Sequence, residues 1–403
     1  MNLLNIANKN DLVAICQHIG TDLRALKYLE PKHEIYHIFI PKVDYRAAGF
    51  LKQEMLSRGG DAVVAKHVID GRIDYSGVLL MGTRSQLESL IIKIDAMKFW
   101  GLAEIQNDLK NLLAGLDVKE FKINFPNNKT LTLDKNAKLM AILNLTPNSF
   151  YEPSRIANEN DLLKRAEKFL NDGAAILDLG AESTRPNFTP VDEDEEIKRL
   201  LPALKILRKE FSNAIISVDT YKSKTAEIAF NEGADIINDI SAFELDPKIL
   251  DVIAKIKLPY VLTHSKSEDT HEHNLLEAMR KFFVEKIKIL TEHGFEREKI
   301  ILDPGLGFGK TPDENYLIVK NIECLKIFGL PVLVGHSRKR FTGVGNNSQP
   351  ERLAATLAVT SMLAQKVNIL RVHDVIENFA ALEISKRIAE INLEPELNNA
   401  LLQ

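Results

Sequence analysis

Eight side chains stand out for the chemistry their types allow. Arg185, Lys339, Arg371 and His373 are cations or donors, and Asn144, Asp219, Asn238 and Asp303 carry oxygen. Guanidinium and ammonium groups gather anions, and an arginine fork suits phosphate oxygens. Carboxylates and amides in a narrow mouth suit a flat heterocycle with amidine-like N–H groups, because they accept and donate along its edge. Buried without partners such groups are costly, so they must face a polar ligand or one another. Asn144 could equally serve as an oxygen ligand for Mg²⁺, which keeps waters and substrate phosphates in its shell. Together they describe a site for a phosphorylated, polar, ring-containing substrate.

Other motifs are weaker. Gly305-Leu306-Gly307-Phe308-Gly309-Lys310-Thr311 ends like a phosphate-binding loop, but the first glycine of that pattern would fall at Pro304. A flexible loop closing over a site is the better reading of these glycines. His271-Glu272-His273 has no cysteine or second histidine pair at useful spacing, so it makes a poor zinc site. Cys324 reads as core on an amphipathic stretch. The acidic run Asp192–Glu196 reads as the start of a helix, where carboxylates favour the dipole.

The elements that position these residues form a regular series. Short, mostly apolar runs recur at Lys138–Leu143, Ala174–Leu179, Ala214–Val218, Ala234–Ile237, Pro259–Leu262, Lys299–Leu302, Pro331–Val334 and Asn368–Val372. Helical periodicity fills intervening stretches such as Leu162–Leu170, Glu195–Leu207, Thr225–Phe230 and Leu275–Leu290. Continuous apolar strands imply a parallel sheet buried on both faces. Eight strand–helix units in about 250 residues are the size of a (β/α)8 barrel, which keeps its chemistry at the C-terminal strand ends. Here every run ends in polar residues: Asn144, then Asp178 with Glu182-Ser183-Thr184-Arg185, Asp219, Asn238-Asp239, His264, Asp303, His336–Arg340, and Arg371 with His373-Asp374. The predicted fold is an α/β barrel over about 130–395, preceded by a small α+β domain over 1–125.

In that first domain, Ile35–Ile40, Ala62–Val68 and Gly77–Met81 read as strands, and Ala47–Leu56, Ser85–Lys98 and Ala103–Leu116 as helices. The turn-rich Phe125-Pro126-Asn127-Asn128 is the expected boundary. The domain shows no dense polar cluster, so packing or oligomerisation is its expected role, with a regulatory ligand site as the alternative. Lys+Arg 52 against Asp+Glu 56 gives no support for binding nucleic acid or anionic membrane. Two cysteines cannot build a disulfide framework, the N-terminus lacks the order of a signal peptide, and charges interrupt every apolar stretch. A cytoplasmic protein is expected.

At these strand ends the sequence resembles the dihydropteroate synthase family over about residues 138–391. The resemblance rests on Ile142–Phe150, Glu182-Ser183-Thr184-Arg185-Pro186, Ser217-Val218-Asp219-Thr220, Ile237-Asn238-Asp239, Asp303-Pro304-Gly305 with Gly307–Lys310, Ser337-Arg338-Lys339, and Arg371–Val375. It implies joining of 6-hydroxymethyl-7,8-dihydropterin diphosphate to 4-aminobenzoate in folate biosynthesis, with Mg²⁺ and release of diphosphate, in a family targeted by sulfonamides. It further implies that Asp219, Asn238, Asp303 and Lys339 hold the pterin. Asn144, Thr184, Arg371 and His373 would hold the diphosphate, with Asn144 also at the metal. Phe150, Thr184, Arg185, Pro186, Phe308, Lys339 and Arg340 would form the aminobenzoate pocket. A homodimer is the expected assembly.

The chain departs from the family pattern at four places. Asn148 replaces the usual aspartate of the first loop, with Glu152 near it in sequence, and Gly180-Ala181 replaces a glycine pair. Leu262–Lys266 keeps only the histidine of a Met-His-Met segment, altering one wall of the pterin pocket. Arg340 stands where serine is frequent. The alternatives are a methyltetrahydrofolate-dependent methyltransferase, which has no need of the Ser337-Arg338-Lys339 and Arg371-Val372-His373 sets, and a non-catalytic pterin-binding protein.

Overall fold

The computed structural model describes Leu4, Ile6 and residues 9–125, 129–145, 159–182, 191–265, 274–343 and 348–391. One unit comprises the chain to Asp117 with Ile327–Gly329 and the residues from Arg387, and the larger unit comprises Val118–Lys326 and Leu330–Lys386.

The first unit contains helices α1 (Lys9–Ile19), α2 (Leu26–Leu29), α3 (Tyr45–Ser57), α4 (Arg84–Asp95) and α5 (Leu102–Asp117). Strands β1 (Ile35–Asp44), β2 (Asp61–Val64) and β3 (Tyr75–Thr83) form an antiparallel sheet in the order β1-β3-β2. Period-two alternation turns Val78 and Leu80 toward Leu51, Met55, Leu87, Leu90 and Ile94 of the helices, forming one core. The apolar run expected as a strand over Ala62–Val68 leaves the sheet after Val64 and closes in a 3₁₀ turn, Lys66–Val68. Helix α1, with apolar residues interrupted by Asn10, Asp11 and Gln17, escaped the sequence reading.

The larger unit opens with a hairpin, β4 (Phe121–Asn124) and β5 (Thr130–Leu133). Eight parallel strands follow: β6 (Lys138–Asn144), β7 (Ala174–Gly180), β8 (Ile215–Asp219), β9 (Ile236–Asp239), β10 (Tyr260–Thr263), β11 (Ile300–Asp303), β12 (Leu333–Gly335) and β13 (Ile369–Val372). Their order is β11-β10-β9-β8-β7-β6-β13-β12, and a parallel bridge between Leu302 and Val332 closes the ring. Helices α6 (Glu159–Asn171), α7 (Glu193–Glu210), α8 (Ser223–Asn231), α9 (Ile249–Ile256), α10 (Leu275–Glu292), α11 (Pro312–Lys320), α12 (Gln349–Leu363) and α13 (Val375–Glu390) alternate with the strands. The expected (β/α)8 barrel is present, with every strand within two residues of its expected place.

Residues near the strand starts build the barrel floor. Met140, Ile176, Ile215, Ile236, Val261, Ile301, Leu333 and Ile369, one from each strand, cluster with Ile123, Phe125, Leu131 and Leu133 of the hairpin. The hairpin therefore seals this floor, and Pro126, Asn127 and Asn128 of the expected boundary lie outside the described residues. Phe125 is buried there and its N–H donates to the Lys129 carbonyl at 2.9 Å. The pleat turns every second side chain inward. One step above the floor the inward positions become Ile142, Asp178, Ser217, Asn238, Thr263, Asp303, Gly335 and Arg371. The interior thus changes from aliphatic to polar within two residues.

Candidate active site

Arg371 organises one side of the polar layer. Its Nε donates to Asp178 Oδ2 at 2.6 Å, and its Nη2 donates to Asp219 Oδ2 at 2.5 Å. Asn238 Nδ2 lies 3.4 Å from both Asp178 oxygens. Burial pushes the Asp219 carboxyl up to about 7, with Arg371 opposing the rise and the Asp178, Glu196 and Asp239 carboxylates reinforcing it. Asp219 Oδ1 is buried and has no partner. A β-carbon on Gly180 would lie 3.7 Å from Asn144 Oδ1 and 3.8 Å from Asp219 Oδ2, so Asn144 and Asp219 flank the space this glycine leaves.

Asp303 ends β11, and Lys339 lies in the loop after the neighbouring strand β12. Burial raises the Asp303 carboxyl, with Lys339 opposing. Burial also brings the Lys339 ammonium down to about 8, against the pull of Asp303. Lys339 Nζ donates to the Leu306 carbonyl and lies 4.4 Å from the centre of the Phe308 ring, a cation–π arrangement. The glycine loop is held by several hydrogen bonds. Asp303 Oδ1 accepts the Gly305 N–H at 2.7 Å, and Asn315 Oδ1 accepts the Gly307 N–H at 2.7 Å. Lys310 Nζ gathers the carbonyls of His264 and Gly305 at 2.9 Å and of Phe308 at 3.2 Å.

The loops after β12 and β13 are tied together. Ser337 Oγ accepts the His373 N–H at 3.2 Å and lies 3.1 Å from His373 Nδ1. Beside it, Arg338 and Asp374 form a buried two-bond fork. Arg340 is exposed at the start of a 3₁₀ turn.

A second network holds the loop after β7. Glu182 Oε1 accepts the Val191 N–H at 2.8 Å, and Glu182 Oε2 accepts from Lys222 Nζ at 2.7 Å. Lys222 Nζ also donates to Glu196 of α7. Burial raises the Glu196 carboxyl, with Lys222 and Thr220 opposing.

The structure brings Asn144, Asp219, Asn238, Asp303, Lys339, Arg371 and His373 to one end of the barrel, with Phe308 under the Lys339 ammonium. Phe150, Thr184, Arg185 and Pro186 lie outside the described residues, as do Asn148, Glu152, Lys266 and His271-Glu272-His273. His264 follows the inward Thr263 and so turns outward, where its ring packs 4.8 Å from Phe282 on α10. Cys324 is exposed on a 3₁₀ stretch, not in the core. Asp239 is structural: it accepts from the Tyr260 hydroxyl at 2.5 Å and from the N–H groups of Ser241 and Phe243. The sequence reading gave no role to Asp178, Ser337, Asp374, Glu182, Lys222 or Glu196. Asp178 was open to discovery, because it lies two residues beyond the inward Ile176.

Among the described residues no group of three His, Cys, Asp or Glu side chains could hold a metal. Any Mg²⁺ here would have to be carried largely by phosphate oxygens and water, and Asn144 Oδ1 would be its protein ligand. Among the described residues no helix is long and apolar enough to cross a membrane.

Residues 140–373 match the family described as pterin binding enzyme. A dihydropteroate synthase of Clostridium beijerinckii is 38% identical over 260 residues, covering 64% of this chain and 96% of that protein. A bifunctional dihydropteroate synthase/dihydropteroate reductase of Helicobacter pylori is 32% identical over 394 residues, covering 95% of this chain and 98% of that protein. The crystal structure of Yersinia pestis dihydropteroate synthase with a sulfonamide drug complex superposes with a TM-score of 0.63 at 34% identity, covering 67% of this chain and 100% of that one.

Proposed function

Since the chain belongs to the dihydropteroate synthase family of pterin-binding enzymes, transferases of folate biosynthesis, we propose that Asp219, Asn238, Asp303 and Lys339 hold the pterin of 6-hydroxymethyl-7,8-dihydropterin diphosphate. The observation that carries this assignment is the chain of bonds from Asn238 through Asp178 and Arg371 to Asp219. It lines up donors and acceptors close to Asp303 and Lys339, whose charges act on the same Arg371 and Asp219.

The reaction breaks the carbon–oxygen bond at the methylene attached to the ring. In an SN1-like course the diphosphate leaves first, and positive charge spreads into the electron-rich pterin. Asp219 and Asp303 offset that charge in a site already desolvated. Arg371 spends its Nε and one Nη2 proton on carboxylates, which leaves its Nη1 protons for diphosphate oxygens. His373, oriented by Ser337, and Thr184 would complete that anion site. Mg²⁺ on Asn144 would neutralise charge on the leaving group. The 4-aminobenzoate nucleophile has a neutral amine near pH 7 and needs positioning more than activation. Phe150, Thr184, Arg185, Pro186, Phe308, Lys339 and Arg340 would form its pocket. A cytoplasmic homodimer is part of the same reading.

The test is an assay following dihydropteroate and diphosphate together. Product that requires both substrates and Mg²⁺, and an Asp219→Asn variant that loses far more kcat than pterin affinity, support the assignment. Unchanged kcat in that variant would overturn it.

A second reading concerns a further step. The match to the bifunctional Helicobacter pylori protein extends well outside the barrel, and it favours reduction of the dihydropteroate product by an external hydride donor and a proton. Consumption of reduced flavin or nicotinamide that depends on dihydropteroate would support it, and its absence with both donors would remove it.

A further inference from the structure

Leu333 faces the barrel floor, so period two along β12 turns His336 outward, away from the polar interior. Its Nε2 lies 2.7 Å from Thr360 Oγ1 on α12. Thr360 Oγ1 lies 2.6 Å from Asn378 Oδ1 on α13, and Asn378 Nδ2 donates to the Asp374 carbonyl at 2.7 Å. His336, Thr360 and Asn378 are completely buried. This chain of bonds runs in one direction only. A carbonyl oxygen accepts, so Asn378 must turn its amide nitrogen to Asp374 and its oxygen to Thr360. The single hydroxyl proton of Thr360 goes to that oxygen, and Thr360 must then accept from the histidine. Burial brings the His336 imidazole down to about 4, so the ring is neutral and carries its one N–H at Nε2. Burying three polar side chains adds little net stability. It does fix the distance between two loops, because both ends of the chain lie beside site residues. His336 precedes Ser337, whose Oγ accepts the His373 N–H, and Asp374 follows His373.

We propose that His336 is a positioning residue for the diphosphate site. Through Thr360 and Asn378 it fixes the main chain at Asp374, and so the place of His373 relative to the loop that carries Ser337. The inference rests on the assignment of His373 to the diphosphate. The Arg338–Asp374 fork takes the side chain of Asp374, whereas this chain takes its carbonyl. The two ties therefore hold separate atoms of one residue, and each can be broken alone.

Calorimetry with two probes separates positioning of the anion site from general stability. The probes are 6-hydroxymethyl-7,8-dihydropterin diphosphate and 6-hydroxymethyl-7,8-dihydropterin, which differ only in the diphosphate. His336→Leu removes the first donor of the chain. It is expected to weaken the diphosphate ester about five- to tenfold, the effect of one neutral hydrogen bond, and to leave the alcohol within about twofold of wild type. His336→Gln keeps an amide N–H that can reach Thr360, and it should restore the ester to within about twofold. Thr360→Val breaks the same chain one link on and should match His336→Leu, and it carries the test if His336→Leu does not fold. The double variant should bind no more weakly than either single one, because the chain is already broken. A histidine that serves stability alone would lower the melting temperature while the two affinities stay level or fall together. Either result overturns the proposal. His373→Ala is measured alongside. If it loses affinity for the ester while His336→Leu and Thr360→Val do not, only the positioning role fails. If none of the three changes that affinity, the assignment of His373 to the diphosphate fails with it.

Discussion

Arg338 and Asp374 meet through Nε–Oδ2 at 2.6 Å and Nη2–Oδ1 at 2.7 Å, a fork joining two loops that carry site residues. Lys339 is the next residue on one loop, and His373 immediately precedes Asp374 on the other. Arg338 holds a left-handed backbone, φ 56°, and its N–H donates to Thr356 Oγ1 at 3.0 Å. Both side chains of the fork are more than nine-tenths buried. Asp374→Asn would leave the guanidinium without its counter-charge, and breaking a buried pair from one side costs about 3 kcal/mol. Urea unfolding should show that loss, with kcat falling as Lys339 and His373 lose their common anchor. Arg338→Lys should not restore either, because an ammonium cannot make the fork.

The free enzyme should show a narrow bell in kcat/KM against pH. Asp219, pushed up to about 7, becomes a carboxylate only above that pH, and Lys339, brought down to about 8, loses its proton above that. Both charges coexist between those values, so activity should rise through about 7 and fall beyond about 8. Lys339→Arg should move the alkaline limb out of range if activity survives. The stability signs run the other way. Between its ordinary 3.8 and about 7 the folded protein keeps the Asp219 proton that the unfolded chain releases, so this group lowers stability as pH rises through that window. For Lys339 the unfolded chain binds a proton between 10.5 and about 8 that the folded protein refuses, so stability falls as pH falls through that range. A pH profile of unfolding without these slopes would contradict both shifts.

The barrel was legible because burial on both faces makes parallel strands continuously apolar, and each run stops where the polar residues begin. The polar end of the barrel was legible by the same change of character at Asn144, Asp219, Asn238 and Asp303. What escaped depends on partners distant in sequence. Phe125 stands at the edge of a turn-forming run, and its burial in the barrel floor depends on packing with strands far away in sequence. Glu196 looks like one more carboxylate in a helix-opening run, yet it is buried against Lys222. His264 was grouped with the strand-end set, but period two places it outside the ring once Val261 is known to face in.

Glu182 bonds to the Val191 N–H with one oxygen and to Lys222 with the other. Thr184, Arg185 and Pro186, assigned to the aminobenzoate pocket, lie in sequence between Glu182 and Val191. Glu182→Gln keeps the size and can still accept from Val191, but it removes the charge that Lys222 pairs with. The KM for 4-aminobenzoate should rise about tenfold, equivalent to ~1.4 kcal/mol, while the KM for the pterin substrate stays level. An equal rise in both constants would place Glu182 in general stability instead.

Two glycines with the same backbone preference should respond very differently to alanine. Gly305 has φ 62° and Gly329 has φ 56°, so alanine at either carries the left-handed penalty of about 1–2 kcal/mol. At Gly329 an added β-carbon meets nothing within 4 Å, so that penalty is the whole effect. At Gly305 it would lie 2.0 Å from the His264 carbonyl oxygen, a backbone atom that Lys310 also holds. The loop must shift to admit it, and the shift breaks the Gly305 N–H bond to Asp303 and the carbonyl contacts of Lys310. Gly305→Ala should therefore cost about 4 kcal/mol, in the range kept for strained or overpacked sites. It should also weaken pterin binding, because Asp303 would lose the bond that orients its carboxylate. Similar melting temperatures for the two variants would show that the backbone strain alone, and not the approach of β10 to the glycine loop, sets the requirement.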